Sequence, residues 1–229
     1  TRTSLAISES LLEGHQTVIY RNDAADFQVT IDQVEAIPFA TFSAIVVTGT
    51  SFAKQPSREA HLRALDIANK LGIPTILDID YRPYSWASAQ EASDVLIDVC
   101  NRCAVIIGND EEFDFVAGQP GKGEDLAADA AETKALVIYK KGADGAVTHA
   151  QDSEIATGIF KVEALKPVGS GDAFMAGLLA GLAKGQDVET AVTQGSACAA
   201  IVVSKVGCSL AMPDQQELDA FIANHPGMT

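Results

Sequence analysis

From position 43 onward, short apolar runs rich in β-branched residues alternate with longer segments whose apolar positions recur at helical spacing. That alternation lays helices over both faces of a mostly parallel sheet. Ala44-Ile45-Val46-Val47-Thr48-Gly49 reads as a buried strand. Residues 57–71 read as the helix after it, with Leu62, Leu65, Ala68 and Leu71 along its apolar side and Gly72 and Pro74 ending it. Thr75 to Asp80 is the next strand, 91–100 a helix, Ala104 to Gly108 a strand, Asp110 to Ala117 a short helix, and Ala135 to Tyr139 a fourth strand. Residues 145–163 change character, because Gly145 to Thr148 and Ile155 to Phe160 flank the turn-like Gln151-Asp152-Ser153 and so predict an antiparallel pair. Three helices close the chain, over roughly 171–184, 187–204 and 214–224, the second rich enough in Ala, Gly, Ser and Cys to pack tightly. Near the N-terminus, Thr3 to Ser8 and Thr17 to Tyr20 read as two strands of a small separate sheet, suited to a lid or a partner surface.

With 229 residues, 47% of them hydrophobic, the chain can bury the core of one domain, alone or with a small appendage. The formal net charge of −15 argues against sequence-independent nucleic-acid binding and against an anionic membrane surface, since both need a basic face. An anionic ligand would need local cations or a metal ion. The apolar stretches are too short or too interrupted to span a bilayer, and the first residues lack the zones of a signal peptide, so a cytoplasmic protein is the expectation. Opening on Thr1 rather than Met fits a processed or truncated product. Cys100-Asn101-Arg102-Cys103 invites a redox or zinc reading, but Cys198 and Cys208 supply no second close pair, and that reading is the weaker one.

The strongest chemical signal is Gly169-Ser170-Gly171-Asp172-Ala173-Phe174, a Gly-rich turn running into an apolar helix. The first amides of a helix have no intrahelical acceptor and, with the helix dipole, favour an anion. Glycines let those amides turn toward a ligand, and Asp172 at the mouth could take the proton of an attacking hydroxyl. An isolated G-x-G-D is more often an ordinary helix start, so its surroundings decide. In a parallel sheet ligands collect at the carboxyl ends of the strands. There the chain carries Asp78-Ile79-Asp80-Tyr81-Arg82-Pro83, Asn109-Asp110-Glu111-Glu112 and Lys140-Lys141-Gly142-Ala143-Asp144-Gly145. Each alone is readable as a capped turn, with Asp110 as a helix cap and Gly142 and Gly145 supplying positive φ. Together they converge on one rim.

In this order the motifs resemble the ribokinase-like sugar kinases of the phosphofructokinase B type, over most of the chain. The resemblance implies an α/β three-layer sandwich with a mostly parallel central sheet and a small β lid: residues 1–30 as the remnant of the lid strands and 31–229 as the nucleotide- and sugar-binding core. The family's N-terminal Gly-Gly region and first sugar-binding strand have no counterpart in the sequence. It implies Asp172 as base, Gly169, Ser170 and Gly171 as anion hole, and ATP along Lys140, Gly142 and Gly145 and the helix containing Cys198. It further implies that Asn109 and Glu112 organise Mg²⁺, with Glu112 meeting the metal through water. Asp78 to Pro83 followed by Trp86, together with Tyr20-Arg21-Asn22-Asp23-Ala24-Ala25-Asp26, resembles the acid-sugar branch. Members of that branch phosphorylate 5-dehydro-2-deoxygluconate or, close behind, 2-dehydro-3-deoxygluconate. Arg21, Asp80 and Arg82 are then the residues that meet the sugar acid, an Arg fork matching a carboxylate; the structural alternative pairs Arg82 with Asp78 or Asp80. Two positions depart from the pattern. Lys166 stands where the family often has Asp, which leaves a monovalent cation open, and Ser170 replaces the usual Ala. The resemblance implies a kinase with a sugar acid and ATP as its small-molecule partners, and the separate N-terminal strands suit a homodimer through the lid; a non-catalytic binding protein on the same fold is the reading from another class.

Overall fold

The structure is a computed structural model and describes residues 1–8, 17–150, 153–165, 168–225 and 227. Strands β1 (Leu5–Ser8) and β2 (Thr17–Tyr20) pair as a two-stranded sheet of their own, as the N-terminal pattern predicts. A short helix, α1 (Ile31–Glu35), follows, its start fixed by a reciprocal Thr30 and Gln33 capping box. The main sheet then begins with β3 (Ile45–Thr48), α2 (Ser57–Leu71), β4 (Thr75–Asp78), α3 (Ala89–Arg102) and β5 (Val105–Asn109). It continues through α4 (Asp110–Ala117), α5 (Gly123–Ala131), β6 (Leu136–Lys140), β7 (Ala146–Ala150) and β8 (Ser153–Thr157). The six strands β3 to β8 lie side by side in chain order. The first four are parallel, with Val47 opposite Leu77, Leu77 opposite Ile106 and Ile107 opposite Ile138. Burial of consecutive residues along β4 and β6 is what a sheet covered on both faces requires. Three further helices, α6 (Ser170–Ala183), α7 (Val188–Val203) and α8 (Gln215–Asn224), fall within a few residues of the ranges predicted.

The chain divides into two compact units. One comprises Thr1–Ala6, Ile19–Lys141 and Val147–Glu154, the other Ile7–Val18, Gly142–Ala146 and Ile155–Thr229. The first is built on Phe52, Leu65, Leu77, Ile79, Leu96, Val99 and Val137, all fully buried. At about 1.5–3 kcal/mol for each large apolar side chain buried, this cluster supplies much of the unit's stability. In the second, α6 and α7 meet backbone to backbone: a Cβ added at Gly177 would stand 2.8 Å from both Cys198 Sγ and the Gln194 carbonyl oxygen. The small residues of α7 therefore permit a close crossing, as their number predicts. Phe160, Ala173, Ile201 and Leu218 form the core there.

Four local expectations need correction. The apolar face of α2 is not Leu62, Leu65, Ala68 and Leu71, because Leu71 is 52% exposed while Ala60, Ala64, Leu65 and Ala68 are buried. Positions three apart lag by about 60° per step on a helix of 3.6 residues per turn, so nine residues carry Leu71 to the side opposite Leu62. The strand expected to reach Asp80 ends at Asp78, and Asp80 takes a left-handed backbone with φ of 36°, which turns the chain out of the sheet. Helix α5 was not expected at all. Its entry is set by Asp114, whose two carboxylate oxygens accept the amides of Gly121 and Gly123, each at 2.7 Å. Finally, β8 stops at Thr157 rather than Phe160. The chain reversal between β7 and β8 is present, since Ser153 Oγ donates to the Ala150 carbonyl and Thr157 Oγ1 to the Ala146 carbonyl. Of the predicted turn, Gln151 and Asp152 lie outside the described residues, as does Lys166.

Candidate active site

At the carboxyl end of β5 the chain enters α4 without a loop, which makes Asn109 the N-cap, a role expected of Asp110. Asn109 Oδ1 accepts the Glu112 amide at 2.8 Å and Glu112 Oε2 accepts the Asn109 amide at 2.9 Å. Glu112 is thereby held buried, at 6% exposure, with its second oxygen 3.5 Å from Arg82 Nη1. Arg82 in turn pairs through Nη2 with Asp80 Oδ1 at 2.7 Å, and its Nη1 donates to the Tyr81 carbonyl. Four predicted residues, Asp80, Arg82, Asn109 and Glu112, are thus brought together. The structural alternative for Arg82, pairing with Asp80, is realised, yet its side chain keeps 45% of its surface open to solvent. A cleft of about 640 Å³ lies alongside, lined by Tyr81, Arg82, Asn109, Glu112 and Phe115 among others, with the Tyr81 and Phe115 rings stacked.

Arg21, just after β2, lies in the same unit but is engaged differently. Its Nε donates to Asp26 Oδ2 at 2.6 Å and Nη2 pairs with the same oxygen, while Nη1 donates to Thr50 Oγ1 at 2.5 Å and Ser85 Oγ at 3.4 Å. The two-toothed fork expected to receive a sugar carboxylate is therefore already taken by Asp26. Tyr84 feels the charge of both arginines. Its phenol is pushed up by partial burial, with Arg82 and Arg21 pulling it down and Asp80 pushing it up.

In the second unit, Gly169 is the N-cap of α6 and adopts a φ of 93°, a conformation that L side chains rarely take. Ser170, Gly171 and Asp172 follow as the first three helical residues, with the Ala173 amide making the first intrahelical bond to the Gly169 carbonyl. Asp172 is exposed. The loop after α7 braces this turn: Cys208 Sγ donates to the Val168 carbonyl, and a Cβ at Gly169 would come to 3.4 Å from Cys208 Cβ. Gly142 and Gly145 both have positive φ, at 56° and 83°. At Gly145 a side chain is excluded outright, because its Cβ would lie 2.0 Å from the Thr157 carbonyl oxygen. Lys140, in the first unit, is the last residue of β6.

Sequence reasoning missed the companions of Arg21. Only Asp26 carried a signal, as the acid closing the segment that begins at Tyr20. The redox or zinc reading of the cysteines finds no support. Burial first of all pushes the thiols of Cys100 to about 12 and of Cys103 and Cys198 to about 11, the reverse of a reactive thiolate. Cys198 faces the α6 contact in the core. Among the described residues no group of three His, Cys, Asp or Glu is placed to hold a metal ion, and no helix is long and apolar enough to cross a membrane.

Residues 1–215 match the pfkB family of carbohydrate kinases. The chain belongs to that family. It is 39% identical over 228 residues to a 5-dehydro-2-deoxygluconokinase of Photobacterium profundum, a match covering 97% of this chain and 69% of that protein. It is 33% identical over 225 residues to the enzyme of the same name from Bacillus subtilis, covering 96% and 69%. Among solved structures, a fructokinase from Vibrio cholerae O395 in a fructose-, ADP- and calcium-bound form superposes with a TM-score of 0.83 at 26% identity, covering 96% of this chain and 73% of that one. An ATP-bound fructokinase from Xylella fastidiosa gives 0.85 at 20% identity, covering 98% and 74%. The fold is the ribokinase-like α/β fold that the motifs implied.

Proposed function

We propose that the protein is an ATP-dependent kinase that phosphorylates the terminal hydroxyl of a keto-deoxy sugar acid, 5-dehydro-2-deoxy-D-gluconate. The observation that carries the chemistry is the exposed carboxylate of Asp172 in the first turn of α6, directly after a left-handed Gly169. The hydroxyl oxygen attacks the γ-phosphorus, its proton passes to Asp172, and ADP leaves. Amides of Ser170, Gly171 and Asp172 would stabilise the charge on the transferring group. Proton transfer by a placed side chain contributes about 10²- to 10⁴-fold in rate, and positioning with charge stabilisation supplies most of the rest. The acid-sugar assignment is supported by the names of the relatives and by the arginines Arg21 and Arg82 in a chain of net charge −15.

ATP is assigned to Lys140, Gly142 and Gly145 on this reading, in line with the nucleotide-bound structures of the same fold. Mg²⁺ commonly keeps several waters and is bound through one or two carboxylates plus phosphates. Glu112 fits such a role through water, because one of its oxygens is committed to the Asn109 amide and the other is directed to Arg82. Bound with the nucleotide, the ion would supply positive charge against the phosphates. We further propose a cytoplasmic enzyme that dimerises through β1 and β2, where Leu5, Ile7, Val18 and Tyr20 are each at least 50% exposed. Turnover of ATP with 5-dehydro-2-deoxygluconate, 2-dehydro-3-deoxygluconate, fructose and ribose, measured on the full-length protein, tests the substrate. Preference for 5-dehydro-2-deoxygluconate is expected. Preference for 2-dehydro-3-deoxygluconate would move the assignment within the acid branch, and preference for fructose or ribose would overturn it.

A further inference from the structure

Among the described residues Arg21 directs four of its five N–H groups to Asp26, Thr50 and Ser85, and its guanidinium carbon lies 4.2 Å from the centroid of the Phe27 ring. The surroundings form a cage. Phe27, Thr50 and Ser85 are 2%, 9% and 4% exposed, and they come with Asp26 from three segments well separated in sequence. Asp26 sits in the 3-10 turn Ala25–Phe27, which is pinned by bonds from the Ala25 amide to the Arg2 carbonyl and from the Phe27 amide to the Ala24 carbonyl. The carboxylate is thus offered to Arg21 by a backbone with little freedom. A lone exposed ion pair would be worth only about 0–1 kcal/mol. Two buried hydroxyls, an aromatic face and a pinned acid around one guanidinium amount to a device for fixing its orientation, the requirement of a charge that must meet a ligand in one geometry.

We propose that Asp26 and Thr50 are positioning residues for the sugar acid: they hold Arg21 so that its one remaining Nη2 hydrogen and its charge are presented to the substrate carboxylate. This rests on the acid-sugar reading above. A flexible Arg would pay for its ordering on each binding event, whereas the cage has ordered it beforehand. The device acts on recognition of the acid and leaves phosphoryl transfer alone.

Asp26→Ala and Thr50→Val, each alone and combined with Arg21→Leu, test this in the full-length protein with 5-dehydro-2-deoxygluconate as the probe. Each single change is expected to raise KM for the acid about ten- to a hundredfold, on the scale of a hydrogen bond to a charged group. Both kcat and KM for ATP should move less than about twofold, which a general loss of structure would not achieve. In the Arg21→Leu background neither change should add further to KM for the acid, since coupled residues fail to add. The proposal is overturned by an unchanged KM in both single variants, by full additivity with Arg21→Leu, or by a fall in KM for Asp26→Ala, the mark of a carboxylate that competes with substrate. If Arg21→Leu alone leaves KM for the acid at its original value, the acid-receptor role of Arg21 itself is lost. That result is separable from failure of the cage, in which Arg21→Leu raises KM and the Asp26 and Thr50 variants do not.

Discussion

Asp172 is one exposed carboxylate, and what distinguishes it from the chain's other acids is the turn it follows. Asp172→Asn keeps the shape and the helix amides while removing the base. Turnover should fall by about 10²- to 10⁴-fold, and ATP affinity measured by calorimetry should stay within about threefold, since the same backbone remains in place. Unchanged turnover at saturating substrate would sink the assignment of the base. Gly169 carries a different burden. Its φ of 93° is strained for any residue with a Cβ, whereas the 3.4 Å approach to Cys208 is ordinary contact, so the cost of Gly169→Ala lies in the backbone. A penalty of about 1–2 kcal/mol corresponds to a fall in Tm of roughly 2–8 °C for a chain of this size. ATP affinity should drop with it as the amides proposed to hold the phosphate tilt. A variant with both quantities intact would mean that the turn is not what shapes the phosphate site.

Helices show how far such local strain can be absorbed. At the α6 and α7 crossing, Gly177→Val would press two γ-carbons where even a Cβ meets sulfur and a carbonyl oxygen at 2.8 Å. Overpacking of about 1–3 kcal/mol or more is expected, seen as a lower denaturant midpoint. The loop between α4 and α5 gives a pH test. Asp114 has its pKa lowered chiefly by the amide bonds from Gly121 and then Gly123, so its stabilisation is present above the ordinary carboxylate range and is lost as pH falls through the lowered value. Asp114→Asn should therefore lower Tm most near neutral pH, with the gap to the wild type closing below about pH 4. A gap constant with pH would show that the charge plays no part. These elements also mark what was legible in the sequence. Helix α2 was found to the residue because Gly72 and Pro74 punctuate it, yet its buried face was misassigned, since Ala60, Ala64 and Ala68 look less apolar than the leucines beside them. The glycine turn that opens α6 was legible from two glycines and an acid within four residues. Left-handed Asp80 and the Thr50 and Ser85 contacts of Arg21 were not, because nothing local in the chain records a partner 29 or 64 residues away.

The molecule as a whole carries 31 acidic against 16 basic side chains, so a sugar acid and a nucleotide both approach a body of their own sign. At physiological salt that repulsion is screened beyond about 8 Å, which leaves recognition to the few cations at the rim and makes their fixed placement matter. The same scale bears on assembly. A two-stranded sheet is marginal by itself in water, and β1 with β2 leaves Leu5, Ile7, Val18 and Tyr20 between 50% and 58% exposed. Covering those halves gains on the order of 1 kcal/mol per side chain and twice that sum in a symmetric pair. Against an association cost of about 4–15 kcal/mol, such an interface is close to balance unless strand edges or other surface join it. One charge in the middle of the patch should then tip it. Ile7→Lys is predicted to convert the full-length protein from dimer to monomer in sedimentation equilibrium at micromolar concentration, with its melting transition otherwise cooperative; a wild-type protein that sediments as a monomer, or a variant that remains dimeric, would remove the lid strands from the interface.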